Sequence, residues 1–156
     1  IIFGDQNEWE VASGVPHIPF EALDENYEID KEAYLKYFRK MHKLFPKCKK
    51  MVMAVRNQIA SSHHTLSGLL YDAVEDQLYT TRIYDIEPIV DPMGVGDAFV
   101  AAYIHAHQKW GDKNQYCLDF SLSASAIKNT IPGDQNLVSE EEIINNITSS
   151  GGRIQR

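Results

Sequence analysis

The order of segments predicts a three-layer α/β domain with a mainly parallel sheet. Two observations carry this. Short apolar runs alternate with stretches of helical periodicity. The clearest run, MVMAV at 51–55, is apolar at every position, as a strand buried on both faces is. At 156 residues the chain has the size of one ordinary domain. Its 44% hydrophobic and 24% charged residues exclude a disordered, collagenous or coiled-coil chain.

Residues 1–4, IIFG, are apolar and end at Gly4, which predicts a buried strand. A buried strand is a poor opening for a protein, so further polypeptide is expected ahead of Ile1. Residues 7–13 carry Glu, Trp, Val and Ala and suit a short helix. Residues 14–29, with Pro16 and Pro19 and no period, read as a loop. Asp30 is a good N-cap. Tyr34, Leu35, Phe38, Met41 and Phe45 then recur at three- and four-residue spacing, an amphipathic helix that Pro46 stops. The strand at 51–55 is expected to be parallel. Segments 64–73 and 77–84, rich in Leu, Tyr, Thr and Ile, flank Val74-Glu75-Asp76 and predict an antiparallel hairpin at a sheet edge. From Glu87 follow a strand fragment, a glycine turn and a helix to about Trp110. Residues 114–130 form a second long helix, and Pro132-Gly133 mark a loop. Ser139 with Glu142 is a capping box for a last short helix, before a polar stretch at Gly151-Gly152.

Composition narrows function. Fifteen basic against twenty-two acidic residues give a net charge of −7, with a pI of about 5.3. No basic stripe offsets it, which argues against a nucleic-acid partner. The longest apolar runs, such as 99–104, are far too short to span a bilayer. Cys48 and Cys117 have no metal-ligand spacing and suggest no disulfide framework, so a reduced, cytoplasmic protein is expected. His63 and His64 are neighbours in a strand and point to opposite faces. His105 and His107, two apart on a helix, do not share a face. Neither pair suits one metal ion. The tyrosines and phenylalanines fit core packing better than a base-stacking platform.

The segment that carries chemistry is DPMGVGDAF at 91–99. Gly94 and Gly96 bracket Val95 at a helix start, where glycine permits a tight turn and close backbone approach. The first helical N–H groups have no internal partner and, with the helix dipole, suit an anion, phosphate first. Asp97 stands in the first turn beside them. A carboxylate repels a bound anion, but it makes sense as a base taking a proton from a hydroxyl that attacks phosphorus. The plainer reading is an Asp that stabilises its own helix N-terminus.

Residues 91–99 resemble the signature of the ribokinase, or PfkB, family of carbohydrate kinases, roughly Asp-Thr-x-Gly-Ala-Gly-Asp-x-Phe, with Pro92 where Thr is common. Asn7-Glu8-Trp9-Glu10 is similar to the family's Asn-x-x-Glu motif, and SASAIKNTIPGDQN at 123–136 resembles its helix and loop covering the adenine and a monovalent-cation site. AVRNQIASSHH and IPGDQNLVSEEEI look most like bacterial 2-keto-3-deoxygluconate kinases. The resemblance implies a ribokinase-like αβα fold. Residues 1–156 would be its C-terminal, nucleotide-binding and catalytic part, inactive alone. The N-terminal half would hold the sugar site, the lid and any homo-oligomer interface.

The implied reaction is ATP-dependent phosphorylation of 2-keto-3-deoxygluconate to its 6-phosphate. A fructokinase or ribokinase type, or a non-catalytic nucleotide-binding module, stands as the alternative. Asp97 would be the base, and Gly94, Val95 and Gly96 the anion hole. Asn7 and Glu10, one turn apart, would place Mg²⁺ and its waters, Asn7 otherwise being a helix cap. Arg56, expected at the carboxyl end of the 51–55 strand, would meet nucleotide phosphate, or else make a surface salt bridge. Leu122, Ser125 and Ala126 would border the adenine, or else serve helix packing. Asp91 would bind a monovalent cation such as K⁺, or else be an ordinary turn residue.

Overall fold

A computed structural model of the protein describes residues 1–19 and 28–149; the middle of the expected loop at 14–29 and the Gly151-Gly152 stretch lie outside these. The elements run β1 (Ile2–Phe3), α1 (Gln6–Ser13), α2 (Lys31–Leu44), β2 (Lys50–Ala60), β3 (His63–Asp72), β4 (Gln77–Thr80), β5 (Tyr84–Ile86), α3 (Val95–Trp110), α4 (Asn114–Lys128) and α5 (Glu140–Thr148).

The sheet has the order β1-β2-β3-β4, with β5 also paired to β3. Only β1 and β2 are parallel; β2–β3, β3–β4 and β3–β5 are antiparallel. The expectation of a mainly parallel sheet is therefore corrected. The run at 51–55 is apolar throughout because helices cover both faces of β2, and burial on two faces does not require parallel neighbours. β2 also continues past Val55 to Ala60 and turns at Ser61-Ser62 into β3, a hairpin hidden by the polar residues Arg56, Asn57 and Gln58. The hairpin around Val74-Glu75-Asp76 is present, but its first strand lies inside the sheet and its second ends at Thr80. Residues 84–86 form a separate strand against His64–Leu66.

Side chains alternate across β2. Val52 joins Leu66, Leu70, Tyr84 and Ile86 in a core with Phe99 and Tyr103 of α3 and Leu118 of α4. Met51, Met53 and Val55 join Leu69 and Tyr71 in a second core with Trp9 of α1 and Tyr34 and Phe38 of α2. Burying one such side chain fully contributes roughly 1.5–3 kcal/mol. The helix starts follow their capping residues. Asp5 and Glu8 form a capping box on α1, Asp30 accepts from Ala33 N–H on α2, and Ser139 with Glu142 caps α5. β1 is half-buried rather than buried, and Ile1 is 52% exposed.

α4 is buried on nearly every face. Its serines make that possible, because each hydroxyl donates to a carbonyl of a neighbouring helix. Ser121 reaches Phe99 O at 2.5 Å, Ser123 reaches Ile143 O at 3.1 Å, and Ser125 reaches Val95 O at 3.1 Å. A buried hydroxyl without such a bond would destabilise the packing by about 1–3 kcal/mol. Among the described residues, no helix is long and apolar enough to cross a membrane.

Candidate active site

The site forms where α3 begins, beside the carboxyl end of β1, the side of an open α/β sheet on which ligands bind. Gly94 caps α3 with φ 72°, in the left-handed region. A Cβ there would lie 2.5 Å from the Asp134 carbonyl oxygen, so both conformation and space require glycine. Gly96 differs: a Cβ there would meet nothing within 4 Å. The fold does not need this glycine, but it keeps the surface beside Asp97 clear. The first helical bond runs from Ala98 N–H to Gly94 O at 2.9 Å. The N–H groups of Val95, Gly96 and Asp97 precede it, at the positive end of the helix dipole. Ser125, bonded to Val95 O, steadies this turn from behind.

Asp97 is exposed, and its carboxylate has no hydrogen-bond or ion-pair partner among the described residues. It stands between two cavities. One, of about 440 Å³, is bounded by Gly94, Ala98, Ala101, His105 and Asp134. The other, of about 370 Å³, is bounded by Gly4, Asp5, Glu8, Ala54 and Gly96.

The remaining expected residues are placed differently. Asn7 is exposed and Glu10 turns to His17, whose backbone N–H donates to Oε2 at 3.2 Å and whose ring contacts the same oxygen. Those two bonds hold the Glu10 carboxyl below the usual carboxylate range. Neither residue lines a cavity at Asp97. Asp5 and Glu8, with the same spacing, do, because the N-cap of α1 directly follows Gly4 and the first turn of the helix lines the cavity beside Asp97. Asp5 holds the N-cap of α1, so the alternative role of helix cap does not fall to Asn7 either. Arg56 sits in the middle of β2, opposite Leu66, not at a strand end. It is exposed, two residues beyond Ala54 and on the same face.

Leu122 and Ala126 are 0% exposed and Ser125 1%, and none lines either cavity. They pack α4 into the core; Phe120 and Ala124 are the α4 residues that reach the larger cavity. Asp91 spends its carboxylate on backbone N–H groups, with Oδ1 accepting from Met93 at 2.9 Å and Oδ2 from Gly133 at 2.8 Å. His63 pairs with Asp85 at 2.6 Å, while His64 is buried.

Two solved structures show what this arrangement is similar to. A 2-dehydro-3-deoxygluconokinase from Thermotoga maritima is 25% identical, with a TM-score of 0.78 over 94% of this chain and 40% of that one. A PfkB family carbohydrate kinase from Listeria grayi is 29% identical, with a TM-score of 0.68 over 80% of this chain and 36% of that one. No protein-family model matches the chain, and neither does any curated protein. The fold is thus similar to that of carbohydrate kinases. Among these, the chain resembles the PfkB family, and it spans about 40% of the length of the kinases it matches.

Proposed function

We propose that this chain is the nucleotide-binding and catalytic part of an ATP-dependent sugar kinase whose substrate is 2-keto-3-deoxygluconate. The observation that carries this is Asp97: an exposed, partnerless carboxylate beside three helix-start N–H groups, between two cavities. A hydroxyl in one cavity and a triphosphate over the helix start would meet there. The sugar 6-hydroxyl gives its proton to Asp97 as its oxygen bonds to the γ-phosphorus. The bond from that phosphorus to the β,γ-bridging oxygen breaks, leaving the 6-phosphate and ADP. The N–H groups of Val95, Gly96 and Asp97 hold charge on the transferring group. The likeness to a 2-dehydro-3-deoxygluconokinase over 94% of this chain supports the choice of sugar.

Asp5 and Glu8 replace Asn7 and Glu10 in this reading. Each ties one carboxylate oxygen to a backbone N–H, Asp5 Oδ1 to Glu8 and Glu8 Oε2 to Asp5. Their second oxygens remain for the waters of a hydrated Mg²⁺, which keeps much of its water shell. Mg²⁺ would supply neutralisation of the phosphate charge.

The test is Asp97→Asn in the intact protein, assayed with ATP and 2-keto-3-deoxygluconate. The expected result is a fall in kcat of about 10²–10⁴-fold with nucleotide affinity kept. Turnover within about threefold of wild type would remove Asp97 as the base, since the smallest base effect is larger.

A further inference from the structure

The resemblance implies a monovalent cation at Asp91, and the residues there do not fit a metal ion. Both Asp91 oxygens face N–H dipoles, from Met93 and Gly133. The Asn129 carbonyl, at the end of α4, accepts the N–H groups of Val90 at 2.8 Å and Asp91 at 3.2 Å. The wall beside this turn carries a cation of its own. Lys128, the last residue of α4, is 0% exposed, and its Nζ donates to Ile131 O at 3.1 Å. Burial of an ammonium is unfavourable unless oxygens and opposite charge surround it. Here it lies at the C-terminal, negative end of a helix. The Met93 and Gly133 amides, and after them Lys128, hold the Asp91 carboxyl below the usual carboxylate range. An ammonium and K⁺ carry the same charge and favour the same carbonyl and carboxylate oxygens.

We propose that Lys128 is a tethered cation that does the work of a monovalent metal ion at the Asp91 turn, and that this turn takes no such ion. Lys128 is then a positioning residue. It draws in the Ile131 carbonyl, so that Gly133, two residues on, presents its N–H to Asp91 just ahead of the glycine turn.

The test uses the intact protein, with thermal unfolding in K⁺, Na⁺ and tetramethylammonium chlorides at one ionic strength. Thallium(I) NMR serves as a direct probe of a K⁺ site. Wild type should bind no thallium(I), and its midpoints should agree within about 1 °C, because an ion held only by the folded form would raise them. Lys128→Ala should lower the midpoint by about 5 °C or more. K⁺ should recover part of that loss and tetramethylammonium, far larger than K⁺ and unable to shed its methyl groups, none. Thallium(I) bound by wild type, or a K⁺ rise of about 3 °C or more in its midpoint, would overturn the proposal. So would a Lys128→Ala loss that no monovalent ion recovers. If Lys128→Ala does not fold, the wild-type thallium measurement still decides, and Lys128→Met should be less stable than wild type whichever salt is present. None of these readouts uses phosphoryl transfer, so this proposal and the kinase reading can fail separately.

Discussion

The two ends of the sheet hold their carboxylates under opposite conditions. At the amino end of β2, Lys50 is 7% exposed and its Nζ donates to Asp112 Oδ1 and Asn114 Oδ1, both at 2.6 Å. Asp72 lies 3.7 Å from the same ammonium and accepts from the N–H of Val74 at 2.9 Å and from Asn114 Nδ2 at 2.9 Å. Burial opposes the Asp72 charge, but those donors and Lys50 together hold its carboxyl below the usual range. At the carboxyl end of β1, Asp97 is exposed and has no partner among the described residues. Charge that the fold has already satisfied ties three elements together and has nothing left to offer a ligand. Charge left unsatisfied contributes little to the fold and is available for chemistry.

Exchanging a residue at each end tests that contrast. The largest effect is expected at Asp97: Asn in its place removes about 10²–10⁴-fold of turnover, yet the unfolding midpoint should fall by no more than the loss of a helix-dipole interaction allows, about 0.3–1 kcal/mol, since no hydrogen bond or ion pair among the described residues is lost. A midpoint that falls by clearly more than that, together with kcat, would show Asp97 to be structural. Lys50→Met should do the reverse. Breaking a buried ion pair costs about 3–5 kcal/mol, because the buried Asp72 carboxylate loses its counter-charge. Denaturant unfolding reads this directly, and kcat of the fraction still folded should hold. An unchanged denaturation midpoint would mean that the network is not a tie.

The two glycines of the turn repeat the contrast within three residues. Gly94→Ala forces a side chain into φ 72° and against Asp134, and should destabilise by about 1–3 kcal/mol. Gly96→Ala meets nothing and replaces a helical glycine, so stability should hold or rise by up to about 1 kcal/mol. Its methyl group would nevertheless stand beside the proposed phosphate site and should weaken nucleotide binding about tenfold, a loss of roughly 1.4 kcal/mol. Calorimetric titration with ATP separates the two variants. Equal affinities for wild type and Gly96→Ala would move the phosphates away from this turn.

The helices were legible because their signals are local. Asp30, Pro46 and the Ser139–Glu142 box act within a few residues of where they stand. The glycine turn and Asp97 were legible for the same reason. What hid from the sequence depends on partners far along the chain. Asn57 lies beyond the strand expected at 51–55 but is 1% exposed within β2. Ser121, Ser123 and Ser125 are buried because the carbonyls of Phe99, Ile143 and Val95, each at least 20 residues away, accept their hydroxyls. Asp5 and Glu8 overlap the Asn7 and Glu10 pair at the same spacing, and which pair faces α3 depends on where α1 starts. The Asp-x-x-Glu capping box directly after Gly4 was the signal that could have chosen between them.

A third set of charges lies between the two extremes, and its removal should have the smallest effect. Asp76, at φ 52°, closes the turn from β3 to β4. Arg39 of α2 grips it with two bonds, Nε to Oδ1 at 2.9 Å and Nη2 to Oδ2 at 2.6 Å, and Tyr71 Oη donates to Oδ1 at 2.8 Å. Arg39 first, then Tyr71, pull the Asp76 carboxyl down from 3.8 to about 2. A carboxyl that is more acidic folded than unfolded stabilises the protein above its unfolded value and stops doing so as pH falls through its folded value. The clasp should therefore hold at neutral pH and be lost between 3.8 and about 2. Solvent surrounds the pair and salt screens it, which limits its worth. Asp76→Asn suits the same left-handed backbone and removes the titrating group. Its midpoint should lie slightly below that of wild type at neutral pH, and the gap should close as the solution is acidified into that window. High salt should narrow the neutral-pH gap as well. Two curves that stay parallel down to about pH 2, the lowered value of this carboxyl, would show that Arg39 and Tyr71 hold Asp76 without stabilising the fold.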